Sequence, residues 1–224
     1  MNRKSPGFSL AAVILIGSVW GLSEAALGMG LRQCASSVSG SLMTGAAFFF
    51  IAAAWTVSRR FSSIVLVVVI ASLFKLFDAA LLSLPILHGA IGNPIFAIIM
   101  EGAAFIVIAA VIQKNLKKKA PGQALFGGLA ALLAVNLFPL VKFATGVPAC
   151  TAAGTGYPLS LYYAYVAVAA SMITLPAGVW AGRKILSLEE KLAPKFNTSR
   201  LRFIVSPAAI LLCIVIVALI RTGF

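Results

Sequence analysis

Acidic residues are scarce in this chain: five Asp and Glu stand against 18 Lys and Arg in 224 residues. Charged residues of either sign make up only 10%, and no polar stretch is long enough for a separate soluble domain. One histidine (His88) and three cysteines (Cys34, Cys150 and Cys213) occur, with no CxxC or HxxxH spacing. That excludes the usual sequence patterns of a metal site, and no cofactor is implied. A GxxxxGK[ST] phosphate loop is also missing, so the chain does not couple ATP by itself. Segments of alternating polarity about ten residues long are absent too, which excludes a membrane β-barrel.

What fills the chain is apolar. Hydrophobic residues reach 61% and the mean hydropathy is +1.05. A membrane-spanning helix needs about 20 mostly apolar residues. Seven stretches qualify, at roughly 8–28, 38–57, 63–84, 94–113, 123–143, 158–182 and 203–221. The expectation is an all-α, polytopic membrane bundle of seven helices forming a single domain over residues 1–224.

The net charge of +13 is distributed unevenly. With the N-terminus inside, the inner segments hold 14 of the 18 basic residues, including Arg59, Arg60, Lys117–Lys119, Arg183 and Lys184. The outer segments hold Arg32 and Arg221, while Lys75 and Lys142 lie within spans. This positive-inside bias predicts an N-in, C-out topology in the cytoplasmic (inner) membrane. The basic loops then face anionic lipid headgroups. Nucleic acid is not the expected partner, because no basic patch with interleaved aromatics and no known module is present. Residues 1–28 also admit a signal-peptide reading, but the apolar run is long for one and Glu24 sits awkwardly beside the cleavage point.

Between spans the chain changes character. Met29–Gly40 and Thr145–Gly156 are rich in Gly and small polar residues, suited to loops that fold over a site or merely connect helices. Cys34 and Cys150 both fall on the outer side, where they either pair or remain free. Residues 183–202 read as a short interfacial helix ended by Pro194. Gly17 and Gly21 form a small-residue face on the first helix, fit for close packing within the protein or against a partner. A GAAF pattern recurs at Gly45–Phe48 and Gly102–Phe105, too simple to establish a duplication.

Three of the five acids lie inside apolar spans: Glu24, Asp78 and Glu101. An ionisable group near the centre of a membrane helix costs at least about 2.5 kcal/mol and by default marks a functional site. Converting residue number to depth at about 1.5 Å per residue puts Glu24, Lys75, Asp78, Asn93 and Glu101 in the outer half of the bilayer. Arg32 and His88 lie in the outer loops, and Trp20 is one turn from Glu24. These eight residues are the expected substrate-binding set. A structural role competes for some of them: Lys75 and Asp78 at i, i+3 make a neutralising pair, Glu24 has Arg32 within reach, Trp20 suits an interfacial anchor, and Lys142 suits snorkelling to the interface.

Compactness, an outer-half polar site, the Gly/Ser-rich loop Met29–Gly40 and the small residues Gly17 and Gly21 together give the chain an architecture that resembles the substrate-binding (S) components of energy-coupling factor vitamin transporters. Seven spans stand where six are more typical of them. The resemblance implies uptake of a vitamin-like solute, with a membrane coupling protein and two ATPases as partners. Three acids near an aromatic favour a substrate bearing a positive group. Two other functions remain open. One is a proton-coupled carrier using Glu24, Asp78, Glu101 and Lys75. The other is an intramembrane enzyme using Cys150, His88 and Arg32, although catalysis would need contact between the thiol and the imidazole.

Overall fold

In a computed structural model the protein is described over residues 6–30, 38–112, 119–152, 154–192 and 198–222. Those residues form helices: α1 (Pro6–Gly30), α2 (Ser39–Ser58), α3 (Phe61–Leu81), α4 (Gly89–Val111), α5 (Ala120–Leu137), the short α6 (Val141–Thr145) and α7 (Leu159–Tyr162), then α8 (Ala164–Leu192) and α9 (Thr198–Thr222). The only extended pairing among them is an isolated bridge between Thr151 and Pro158. Five segments are long and apolar enough to cross a membrane: α2, α3, α4, the α5–α6 unit and α8. Two shorter apolar stretches, Leu10–Ala26 and Ser206–Thr222, belong to α1 and α9. The chain is therefore an all-helical, multi-pass membrane protein.

Local chemistry sets the helix ends. Arg59 takes a left-handed conformation (φ 56°) and its N–H bonds to the Trp55 carbonyl at 2.8 Å, which closes α2. Arg60 is extended and starts α3 at once. α4 begins at Gly89, earlier than the apolar run suggests, because the His88 side chain caps it: Nδ1 accepts the Ala90 N–H at 3.2 Å. A side-chain acceptor at this position satisfies a donor the helix leaves open. The fifth span is broken at Phe138–Leu140 into a tighter 3₁₀ turn, where Pro139 cannot donate to the helical ladder.

One expected element takes a different form. Residues 183–192 do not start a separate interfacial helix; they continue α8, which runs unbroken for 29 residues. Nothing between Pro176 and Leu192 breaks a helix, and at about 1.5 Å per residue the rod is about 43 Å long, more than the hydrocarbon core of a bilayer. The expected end at Pro194 falls outside the described residues.

Lipid provides no hydrophobic drive for helices to associate, so close backbone approach through small residues takes over. α8 is central, packed against α2 and α5. A Cβ at Gly178 would run into the backbone of Phe49, and one at Gly127 into the backbone of Ser171. The small face of α1 is spent inside the protein: a Cβ at Gly21 would stand 2.5 Å from the Phe74 ring, and one at Gly17 would stand 3.1 Å from Ile70, both on α3. The other flank of α1 takes α9.

The core is aromatic. Phe48 and Phe105, the closing residues of the two GAAF patterns, stack with centroids 6.5 Å apart. Phe105 also meets Phe126 edge-on at 4.9 Å and Trp55 at 6.0 Å. Trp20 is fully buried against Phe50, not at an interface. Outward, Val65, Val69 and Leu73 form an exposed apolar stripe at i, i+4, i+8 on α3, the spacing of one helix face.

Candidate ligand cavity

A cavity of about 380 Å³ opens at one end of the bundle. The C-terminal parts of α1, α3 and α5, the N-terminal parts of α2 and α4, and α7 enclose it. At its mouth stand the exposed Gly40 and Cys150. Among the described residues its charged wall is Glu24, Lys75 and Glu101; its neutral polar wall includes Ser41, Thr44, Asn93 and Ser160. On the far side of Thr44 and Glu101, one turn further along α2 and α4, the Phe48–Phe105 stack closes the bundle with apolar packing.

The three acids have separate surroundings. Glu24 is 6% exposed and accepts a hydrogen bond from the Trp20 indole N–H at 3.2 Å. Lys75 acts on it electrostatically from α3. Glu101 is 4% exposed and lies beside Thr44, within electrostatic range of Glu24. Asp78 is fully buried and is not part of the cavity wall. It accepts three bonds: from Lys75 Nζ at 3.2 Å, from Arg221 Nε at 2.7 Å and from Arg221 Nη2 at 2.5 Å. A two-pronged arginine–carboxylate pair is among the stronger polar contacts available. It ties the end of α9 to α3, with Lys75 bridging from Asp78 to the cavity.

Of the eight residues expected to bind substrate, Glu24, Lys75, Asn93 and Glu101 line one cavity. Asp78 stands behind the wall as a partner of Lys75 and Arg221. Trp20 supports Glu24 from within the core and does not line the cavity. His88 is exposed and caps α4, beside the lining residues Gly89 and Ala90. Arg32 lies outside the described residues, as does Cys34. Cys150 is free and Cys213 is buried in α9. Among the described residues no hydrogen bond joins His88 to Cys150, and no group of three metal-ligating side chains occurs.

Sequence reasoning missed Arg221, Thr44 and Ser160. Thr44 and Ser160 are small hydroxyls in apolar context; Thr44 donates back to its own helix at the Gly40 carbonyl (3.1 Å), as Ser18 does to Ile14, so nothing in the sequence marks it as lining a cavity. Arg221 was visible as a basic residue at the end of the last span, but its partner is 143 residues away.

Two polar atoms in the wall have no hydrogen-bond partner among the described residues: the buried Asn93 Oδ1 and Ser160 Oγ. Leaving such an atom unsatisfied costs about 1–3 kcal/mol, so a ligand or ordered water is their natural partner. The arrangement can hold a small polar solute out of the lipid, with charge deep in the cavity and neutral hydrogen-bonding groups around it. Neither a protein-family model, nor a curated protein, nor a solved structure matches the chain.

Proposed function

We propose that this protein is a membrane-embedded binding and uptake subunit for a small, vitamin-like solute, with α1, α2, α3, α4, the α5–α6 unit, α8 and α9 as seven spans in an N-in, C-out topology. The observation that carries the reading is the cavity: a concave polar site, open at one end of an apolar bundle and closed by aromatic packing toward the other. Its volume lies within the range of about 300–1,000 Å³ common to small-molecule sites.

Charge distribution supports capture from outside. At the end opposite the cavity the described residues include Arg59, Arg60, Lys119, Arg183, Lys184 and Lys191, the sign expected of the cytoplasmic face. The cavity end then faces out, in the inner membrane. The resemblance to the S components of energy-coupling factor transporters adds a membrane coupling protein and ATPases as partners. The small residues Gly17 and Gly21 are engaged with α3, so a coupling protein docks elsewhere than on that face.

Native mass spectrometry of the protein, gently extracted from its own membranes, tests the reading. A retained small molecule that is lost in the Glu24→Gln and Glu101→Gln variants, or co-purifying coupling subunits, supports it. An empty protein without partners, together with unchanged properties of both variants, rejects it.

A further inference from the structure

The cavity has a charge pattern as well as a shape. Three carboxylates and two cations make one buried network: Glu24, Asp78 and Glu101 against Lys75 and Arg221. Arg221 is committed to Asp78 on both prongs. Lys75 is held by Asp78 at 3.2 Å and extends its field to Glu24. Glu101 has no basic side chain within ion-pair distance among the described residues. With all five groups ionised, the described residues at the deep end of the cavity hold two positive charges against three negative, one negative charge in excess among them.

The rest of the wall is graded along its length. Asn93 and Glu101 are eight residues apart on α4, about 12 Å at about 1.5 Å per residue. Between and opposite them the wall is apolar: Pro94, Ala97, Ile98, Ala134, Val135 and Phe138. At the Asn93 end, Asn93 Oδ1 is an acceptor with no donor among the described residues and Ser160 Oγ is a second group unpaired among them.

Resting on the solute-binding reading, we propose that the ligand is an elongated organic monocation: an ammonium or similar cationic end seated between Glu24 and Glu101, an apolar middle, and an uncharged head that donates an N–H or O–H to Asn93. An isolated buried carboxylate is costly, and a matching cation removes that cost while gaining a charge-assisted hydrogen bond. A dication leaves the network positive and an anion doubles its excess, so both are disfavoured. A short cation without a head leaves Asn93 unpaired.

Cys150 supplies a reporter, because it is an exposed thiol on the cavity wall. The rate of its modification by N-ethylmaleimide is followed in the full-length Cys34→Ser protein in lipid nanodiscs, with N-acetylcadaverine as probe. This compound has an acetamide head, an alkyl middle and an ammonium end. Its alcohol and carboxylate analogues replace only the cationic end. The expected result is protection of Cys150 by the ammonium compound, with the two analogues weaker by about tenfold or more, the size of a lost charged hydrogen bond. Glu101→Gln should erase that preference, while Asn93→Ala should weaken the ammonium and alcohol compounds alike. Equal or better protection by the alcohol or the carboxylate overturns the monocation proposal and leaves the solute-binding reading standing. Protection by none of the three also overturns it, and the mass of any retained ligand then decides separately whether the cavity is a solute site.

Discussion

Glu24 and Asp78 carry the same charge at similar depth, yet their neighbours give them different roles. Asp78 is enclosed by Lys75 and by both prongs of Arg221. Among the described residues Glu24 has one hydrogen-bond donor, the neutral Trp20 indole, and it faces the cavity. Removing one partner of a buried ion pair costs about 3–5 kcal/mol, because the other charge is left uncompensated. Asp78→Asn should therefore lower stability by that amount, read as a drop in the thermal unfolding temperature in nanodiscs. Adding Arg221→Gln to Asp78→Asn should recover part of the loss. In contrast, Glu24→Gln and Glu101→Gln should leave unfolding and membrane insertion nearly unchanged while ligand affinity falls by about tenfold or more. If the two kinds of variant behave alike, the division between a structural and a ligand-facing acid is wrong.

Residue types announced some of this. Lys75 and Asp78 three positions apart on a helix are legible as a pair, and so is Trp20 one turn from Glu24. Sequence spacing did not show that Trp20 turns into the core with Phe50 while Glu24 reaches the cavity. That depends on which flank of α1 meets α3 and which meets α9.

At the scale of helices, glycine positions decide what packs against what. Gly21 lets α1 settle onto Phe74 of α3, and Gly178 lets α8 meet the backbone of α2 at Phe49. Overpacking such contacts costs about 1–3 kcal/mol. Gly21→Ala should be destabilising by that order and should be relieved by Phe74→Ala, since the obstacle is a side chain. Gly178→Ala should be destabilising with no such rescue, because its obstacle is backbone. Thermal unfolding of the two single variants and the one double variant checks both statements. The α8 continuation through Arg183–Leu192 belongs to the same scale: an amphipathic pattern there was readable, but periodicity alone does not tell a separate surface helix from the extension of a preceding one.

For the whole molecule, the two ends differ in chemistry. One end carries the cavity and Cys150. At the other, Arg59 and Arg183 stand within electrostatic range of each other, and Arg59 lies over the Trp55 ring at 5.0 Å. Lys184 lies 5.7 Å from the centroid of the exposed Trp180 ring. The proposed topology predicts that a membrane-impermeant maleimide added to intact cells labels Cys150 in a Cys34→Ser background. The same reagent should reach a cysteine placed at the exposed Ser62, beside Arg59 and Arg60, only after the cells are permeabilised. The reverse pattern would invert the orientation and with it the direction of capture.

Composition and hydropathy by themselves determined that this chain is helical and crosses the membrane several times, because a bilayer requires every backbone polar group to be satisfied within the segment that carries it. The scarcity of acids also singled out Glu24, Asp78 and Glu101, because charge at membrane depth is costly enough to stand out from its surroundings. Which of those acids are neutralised and which face a cavity was decided only by the tertiary structure. The deciding interactions, the bonds of Arg221 to Asp78 and of Glu101 with Thr44 and the electrostatic proximity of Glu101 to Glu24, join residues on different helices, and their geometry follows from how the small-residue seams set the rotation of each helix against its neighbours.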